Sequence, residues 1–199
     1  RPEDVAQATR RAIQIAETPP TGPVFLSLPV DVQTAEFEPD GAPWAPATLA
    51  TRVRPDRAAI ADLANRLRTA QNPVILAGSR VVESGEVDEF AAAPHASENL
   101  LAVAERLGAK VITEATSSHG RVPVDSSHPL YAGRLPLWSK EIRERLAPHD
   151  VILAVGLDLF RTYIHDDPVD CPFDATKCWL QLDCNAYQLG KNFPVQLAV

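Results

Sequence analysis

The apolar positions of this chain change period several times along its length. Between residues 2 and 17 they fall at Val5, Ala8, Ala12, Ile13 and Ala16, which is helical spacing. Pro2 suits a helix start, and Thr18-Pro19-Pro20 stops the helix. Gly22-Pro23 then leads into VFLSLPV at residues 24–30, a run of apolar and β-branched residues that predicts a buried strand. From residue 31 to 55 the period vanishes. Prolines punctuate the stretch, which reads as a linker, with Phe37 and Trp44 expected to lie against a domain surface.

Regularity returns at Asp56. Residues 56–71 carry Ile60, Leu63, Ala64 and Leu67 on one helical face, with Asp56 placed to cap the first turn. NPVILAG is a short apolar strand ending at Gly78. SENLLAVAERLGA is an amphipathic helix with Ser97 as its cap and Gly108 as its stop. KVITEA is the next strand. LWSKEIRERLAPH is a helix with Leu137, Ile142 and Leu146 inward. DVILAVGLDL, KCWLQLD and FPVQLAV complete the strands. Near-continuous apolar strands alternating with helices predict an α/β fold: a doubly wound, mostly parallel sheet with helices on both faces. The expected organisation is a helix and strand at 1–31, a linker at 32–55 and the α/β domain at 56–199.

Composition narrows the function. Of 199 residues, 45% are hydrophobic and 23% charged, enough for a sizeable core. The net charge of -7 and pI near 5.2 argue against nucleic acid and anionic membrane surfaces as partners. No apolar run is long enough to span a bilayer, and the first residues lack the apolar core of a signal peptide. The chain has no methionine and opens on Arg1 with a helical pattern already running, so the expectation is a piece of a longer, cytoplasmic protein. Cys171, Cys178 and Cys184 lack metal-binding spacing and are expected to be reduced, buried thiols.

In an open parallel sheet, ligands sit beyond the carboxyl ends of the strands, near the switch in strand order. Three strand ends carry candidates: Gly78, Ser79 and Arg80; Gly156 and Asp158; and Asp183. The glycines allow sharp turns and close approach of a ligand, and Asp183 offers acceptors to a ribose hydroxyl. This is the layout of an adenine-nucleotide crevice, for FAD, NAD or ADP. Glycines and acids also end strands in α/β domains that bind nothing, and neither GxGxxG nor GxxxxGK[ST] occurs. His119, Asp125 and His128 sit in a polar loop with no nucleophile elbow, and read as surface hydrogen-bonding groups. His165, Asp166, Asp167 and Asp170 read as a second solvated loop.

Taken in order, NPVILAGSRV, AERLGAKVIT, HPLYAG, DVILAVG and LDCNAYQLGKNFPVQLAV resemble the central domain of thiamine-diphosphate-dependent enzymes of the benzoylformate decarboxylase and acetolactate synthase type. The resemblance runs from about residue 55 to the end and implies a Rossmann-like domain. GPVFLSLPVDVQ resembles the closing strand of the pyrimidine-binding domain that precedes it. The family's activating glutamate and its GDG…N motif for diphosphate and magnesium have no counterpart here. The resemblance thus implies a structural layer of a 2-oxo acid decarboxylase or carboligase, inactive alone. Thiamine diphosphate and magnesium would be bound by missing domains of the same chain, in a homo-oligomeric parent. Asp158 stands where FAD-binding members place an arginine, which argues against FAD. With its own sheet absent, residues 24–28 are expected to stay out of the centre of the main sheet.

Overall fold

The computed structural model describes residues 1–18, 21–38, 54–83, 96–115, 122–161 and 171–199. Trp44, His119 and the loop holding His165, Asp166, Asp167 and Asp170 lie outside them. The chain divides into two compact units, Arg1–Arg54 and Pro55–Val199.

In the first unit, a single 3-10 turn at Pro2–Asp4 runs into helix α1, Val5–Glu17. Thr18 ends it: its amide and its hydroxyl both donate to the Gln14 carbonyl. The segment at 24–28 is not the buried strand expected. It has no ladder partner, and Phe25 is 91% exposed. A strand is stable only when neighbours satisfy its backbone and cover its apolar face. The start of the expected linker is also helical, as α2, Val30–Thr34. The Gln33 side-chain amide donates back to the Leu28 carbonyl across that turn. None of this unit's described residues is buried.

The second unit contains every strand assigned among the described residues. Helix α3, Arg57–Thr69, starts where Asp56 accepts from the amides of Ala58 and Ala59, as capping requires. Strand β1, Val74–Ala77, is followed by the short helix α4, Arg80–Glu83. Helix α5 spans Ala96–Leu107. Ser97 lies inside its first turn and is not its cap. Gly108, at φ +62°, ends the helix and leads to β2, Lys110–Thr113. Strand β3, Tyr131–Arg134, precedes α6, Ser139–Leu146. Strands β4 (Val151–Val155), β5 (Cys178–Leu182) and β6 (Leu197–Ala198) close the unit.

All pairings are parallel, in the order β3-β2-β1-β4-β5-β6. The chain grows outward from β1 through β2 to β3, then returns to the other side of β1 with β4. This is the doubly wound α/β fold. Alternation along each strand splits the core in two. Ile75, Ala77, Val111, Leu153 and Leu180 pack with Leu63 and Leu67 of α3 and Leu100 and Ala104 of α5. Val74, Leu76, Ile112, Ile152, Ala154 and Trp179 pack with Ile142 and Leu146 of α6 on the opposite face. The expectation that Leu137 points inward fails: it is 48% exposed, because α6 begins two residues later and Leu137 falls outside its apolar stripe.

The cysteines are less buried than expected. Cys171 and Cys178 are half-buried and Cys184 is exposed; none forms a disulfide. Cys178 opens β5 and Cys184 follows its end, so neither sits in the covered middle of the strand.

Ile152 is fully buried on the central strand β4. Ile152→Ala is expected to cost about 3 kcal/mol in urea unfolding, the transfer loss plus the cavity. A cost well under about 1 kcal/mol would mean that the α6 face is not close-packed.

Candidate functional site

The switch in strand order falls between β1 and β4, so the carboxyl ends of these strands and of β5 frame the crevice where this architecture takes ligands. The six residues singled out from sequence all converge there. Gly78 follows β1, Gly156 and Asp158 follow β4, and Asp183 follows β5.

The two glycines meet. A Cβ on Gly78 would lie 2.3 Å from the Gly156 carbonyl oxygen, and one on Gly156 would lie 2.7 Å from the Val81 nitrogen. Gly156 is also at φ +63°. The missing side chains therefore make room for backbone packing between the two turns, where the sequence reading allotted it to a ligand.

Arg80 reaches back over this contact. Its Nε is 2.9 Å and its Nη2 2.6 Å from the Asp183 carboxylate. Its Nη1 is 2.8 Å from Asp158 Oδ1, an ion pair whose geometry falls short of a hydrogen bond. The Asp183 side chain is completely buried, while those of Arg80 and Asp158 are 15% and 16% exposed. Burial opposes the charge on Arg80, but the two carboxylates outweigh it and push the guanidinium pKa up. Asp183 also accepts from the Asn185 amide, at 2.9 Å. Arg161 pairs with Asp158 from the solvent side at 3.2 Å.

Glu114, just past β2, is a site residue that sequence reasoning missed; its one signal was an acid directly after a strand. Its Oε1 accepts from the Ser79 amide at 3.0 Å. Burial pushes its pKa up, against the opposing pull of that hydrogen bond and of Arg80. Phe160 was missed as well. It holds φ +53°, a conformation that costs a bulky side chain energy, and its ring stands edge-on to Trp179 and Phe193. Glu114, Leu135, Leu137, Leu157, Asp158 and Phe160 line a small cleft open to solvent.

His128 and Asp125 stay local. His128 Nε2 lies 3.3 Å from Glu105, and Asp125 accepts from the Ser127 amide.

Residues 60–199 match the model of the family described as thiamine pyrophosphate enzyme, central domain. Benzoylformate decarboxylase of Pseudomonas aeruginosa is 35% identical over 162 residues, 80% of this chain and 28% of the relative. A protein named as a probable acetolactate synthase large subunit, from Methanocaldococcus jannaschii, is 31% identical over 100% of this chain and 32% of its own length. The structure of a thiamine diphosphate-dependent 4-hydroxybenzoylformate decarboxylase of Rhodococcus jostii RHA1 superposes with a TM-score of 0.80 at 26% identity, covering 100% of this chain and 35% of that one. The chain therefore spans about a third or less of the relatives it matches.

Two outcomes follow from this geometry. Gly78→Ala is expected to cost about 3 kcal/mol or more in urea unfolding, because its Cβ meets backbone that cannot yield. A near-neutral effect would place the two turns further apart. Glu114→Gln keeps an acceptor for Ser79 and removes the buried charge. A carboxyl whose pKa is raised by folding favours the folded state when protonated, so its cost is absent below the ordinary value of 4.5 and full above the folded value. The variant should melt higher than wild type at neutral pH, with the gain gone by about pH 4. A gain that persists at low pH would contradict this.

Proposed function

Because the chain belongs to the thiamine pyrophosphate enzyme family, as its central domain, we propose that Pro55–Val199 is the structural middle layer of a 2-oxo acid decarboxylase or carboligase. The observation that carries the reading is the family match over residues 60–199, on a parallel sheet of the same architecture as the relatives. In this reading α1 and the unpaired segment at 24–28 are the closing αβ unit of a pyrimidine-binding domain. The exposed Phe25 supports that, since an apolar segment with no ladder partner is what a strand without its sheet would look like.

The residues present do not fit the cofactor. Among the described residues, no group of three His, Cys, Asp or Glu side chains is placed to hold a metal ion. Asp158 and Asp183 carry the wrong charge to receive a diphosphate. When bound by other domains, thiamine diphosphate would supply the electron sink for decarboxylation. This chain's part would be to hold those domains in register. The parent protein is read as a cytoplasmic homo-oligomer that uses magnesium with the cofactor. Among the described residues, no helix is long and apolar enough to cross a membrane.

Calorimetric titration of the 199-residue chain with thiamine diphosphate and magnesium tests the division of labour. No heat of binding is expected, and micromolar binding would overturn it. Extending the coding sequence tests the family role directly: a glutamate upstream and a GDG…N downstream are expected, and a flanking sequence without either would sink the reading.

A further inference from the structure

We propose that the strand-end crevice of the second unit is self-occupied: the Arg80 guanidinium sits between Asp158 and Asp183 where a ligand's charged group would sit, and closes the crevice to nucleotide diphosphates.

Two independent observations carry this. The first is the state of the backbone donors. A phosphate cradle at a strand end needs amide N–H groups pointing into the crevice. Here they are spent within the protein. Gly78 donates to the Val155 carbonyl, Ser79 to Glu114, Arg80 to the Gly156 carbonyl, Val81 to Gly78 and Val82 to Ser79. On the facing strands, Gly156 donates to Leu182 and Asp183 to Val199.

The second observation is charge. Asp158, Asp183 and Glu114 converge on the same strand ends, against Arg80 and, at the solvent edge, Arg161. Arg80 commits the Nε–Nη2 edge of its guanidinium to Asp183 and holds Nη1 in an ion pair with Asp158, so two carboxylates already balance its charge. Arg suits this seat because its planar fork spans two carboxylates at once, which a lysine ammonium cannot do. A diphosphate would have to displace Arg80 and then face two buried carboxylates.

Gly78 and Gly156 belong to the same closure. Their turns pack on each other and set the gap that Arg80 covers. Between β1 and β4 the crevice is therefore closed twice, by backbone packing and by the ion cluster, beside the open cleft that Glu114 and Asp158 line.

The test uses the full 199-residue chain and reads thermal melting. ADP, FAD and NAD, each at about 1 mM, should leave the wild-type midpoint unchanged, since a ligand that binds only the folded state raises it. A rise of about 2 °C or more with any of them would overturn the closure. Arg80→Ala leaves Asp183 buried without its cation and Asp158 with the exposed Arg161 alone, and should melt about 10 °C lower. Guanidinium chloride at about 20 mM should restore part of that loss where sodium chloride does not, by refilling the seat. Wild-type melting of the variant, or equal effects of the two salts, would overturn the role of Arg80. Should Arg80→Ala not fold, Arg80→Lys decides: it keeps the charge but cannot bridge both acids, and should melt between the two. Wild-type melting of the lysine variant would count against the proposal. The inference does not rest on the thiamine reading, and a shift with ADP would sink it while leaving the family membership intact.

Discussion

The carboxyl edge of the sheet depends on one contact, between the backbones of Gly78 and Gly156. A parallel sheet buried on both faces must receive helices on both sides, and this forces the chain to reverse direction beside β1. The reversal places β4 against β1 in register, Val74 opposite Ile152 and Ala77 opposite Val155. Both strands then have to turn away within a residue of each other. Side chains at that point would collide with backbone, so both turns use glycine. The position of α4, the reach of Arg80 and the burial of Asp183 all follow from how closely these turns approach.

The second unit shows the same economy in its buried polar groups. Gln181 is almost wholly buried on β5, yet its amide nitrogen donates to the Gln188 carbonyl and its oxygen accepts from the Gly190 amide. It thereby shapes the turn that returns the chain to β6. Trp179, at zero exposure, donates its indole N–H to the Asp174 carbonyl while its ring stacks on Phe173. A buried polar atom left without a partner costs far more than its hydrogen bond gains. These side chains thus fix loops as well as filling the core.

How much of this was legible in the sequence follows from where the physics is local. The helices at Val5–Glu17 and Arg57–Thr69 and the strands β1, β4 and β5 were readable because apolar period and capping are properties of neighbouring residues. Strand β3 was not. Tyr131–Arg134 is short, lies at the sheet edge, and contains Gly133 at φ +88°. Only pairing with β2 makes it a strand. Residues 24–28 erred the other way: high strand propensity found no partner. At the crevice, the six candidate residues do lie together at the ends of β1, β4 and β5, because strand ends can be read from the pattern. What they do to one another was hidden. That Arg80 spans to Asp183, 103 positions away, depends on side-chain directions that no spacing encodes.

The reversal beside β1 also orders the events of folding. β1, β2 and β3 are contiguous in the chain and can associate early. The other edge of β1 must wait for β4; Asp150, just before it, accepts from the Asn72 amide across a separation of 78 positions. During synthesis, an apolar strand edge therefore stands open until the second half of the unit emerges. Non-local pairings of this kind are slow to form, and an open edge is where chains stick to one another. The architecture that buries this sheet so completely once folded leaves its central strand the most exposed to misassociation while the chain is incomplete.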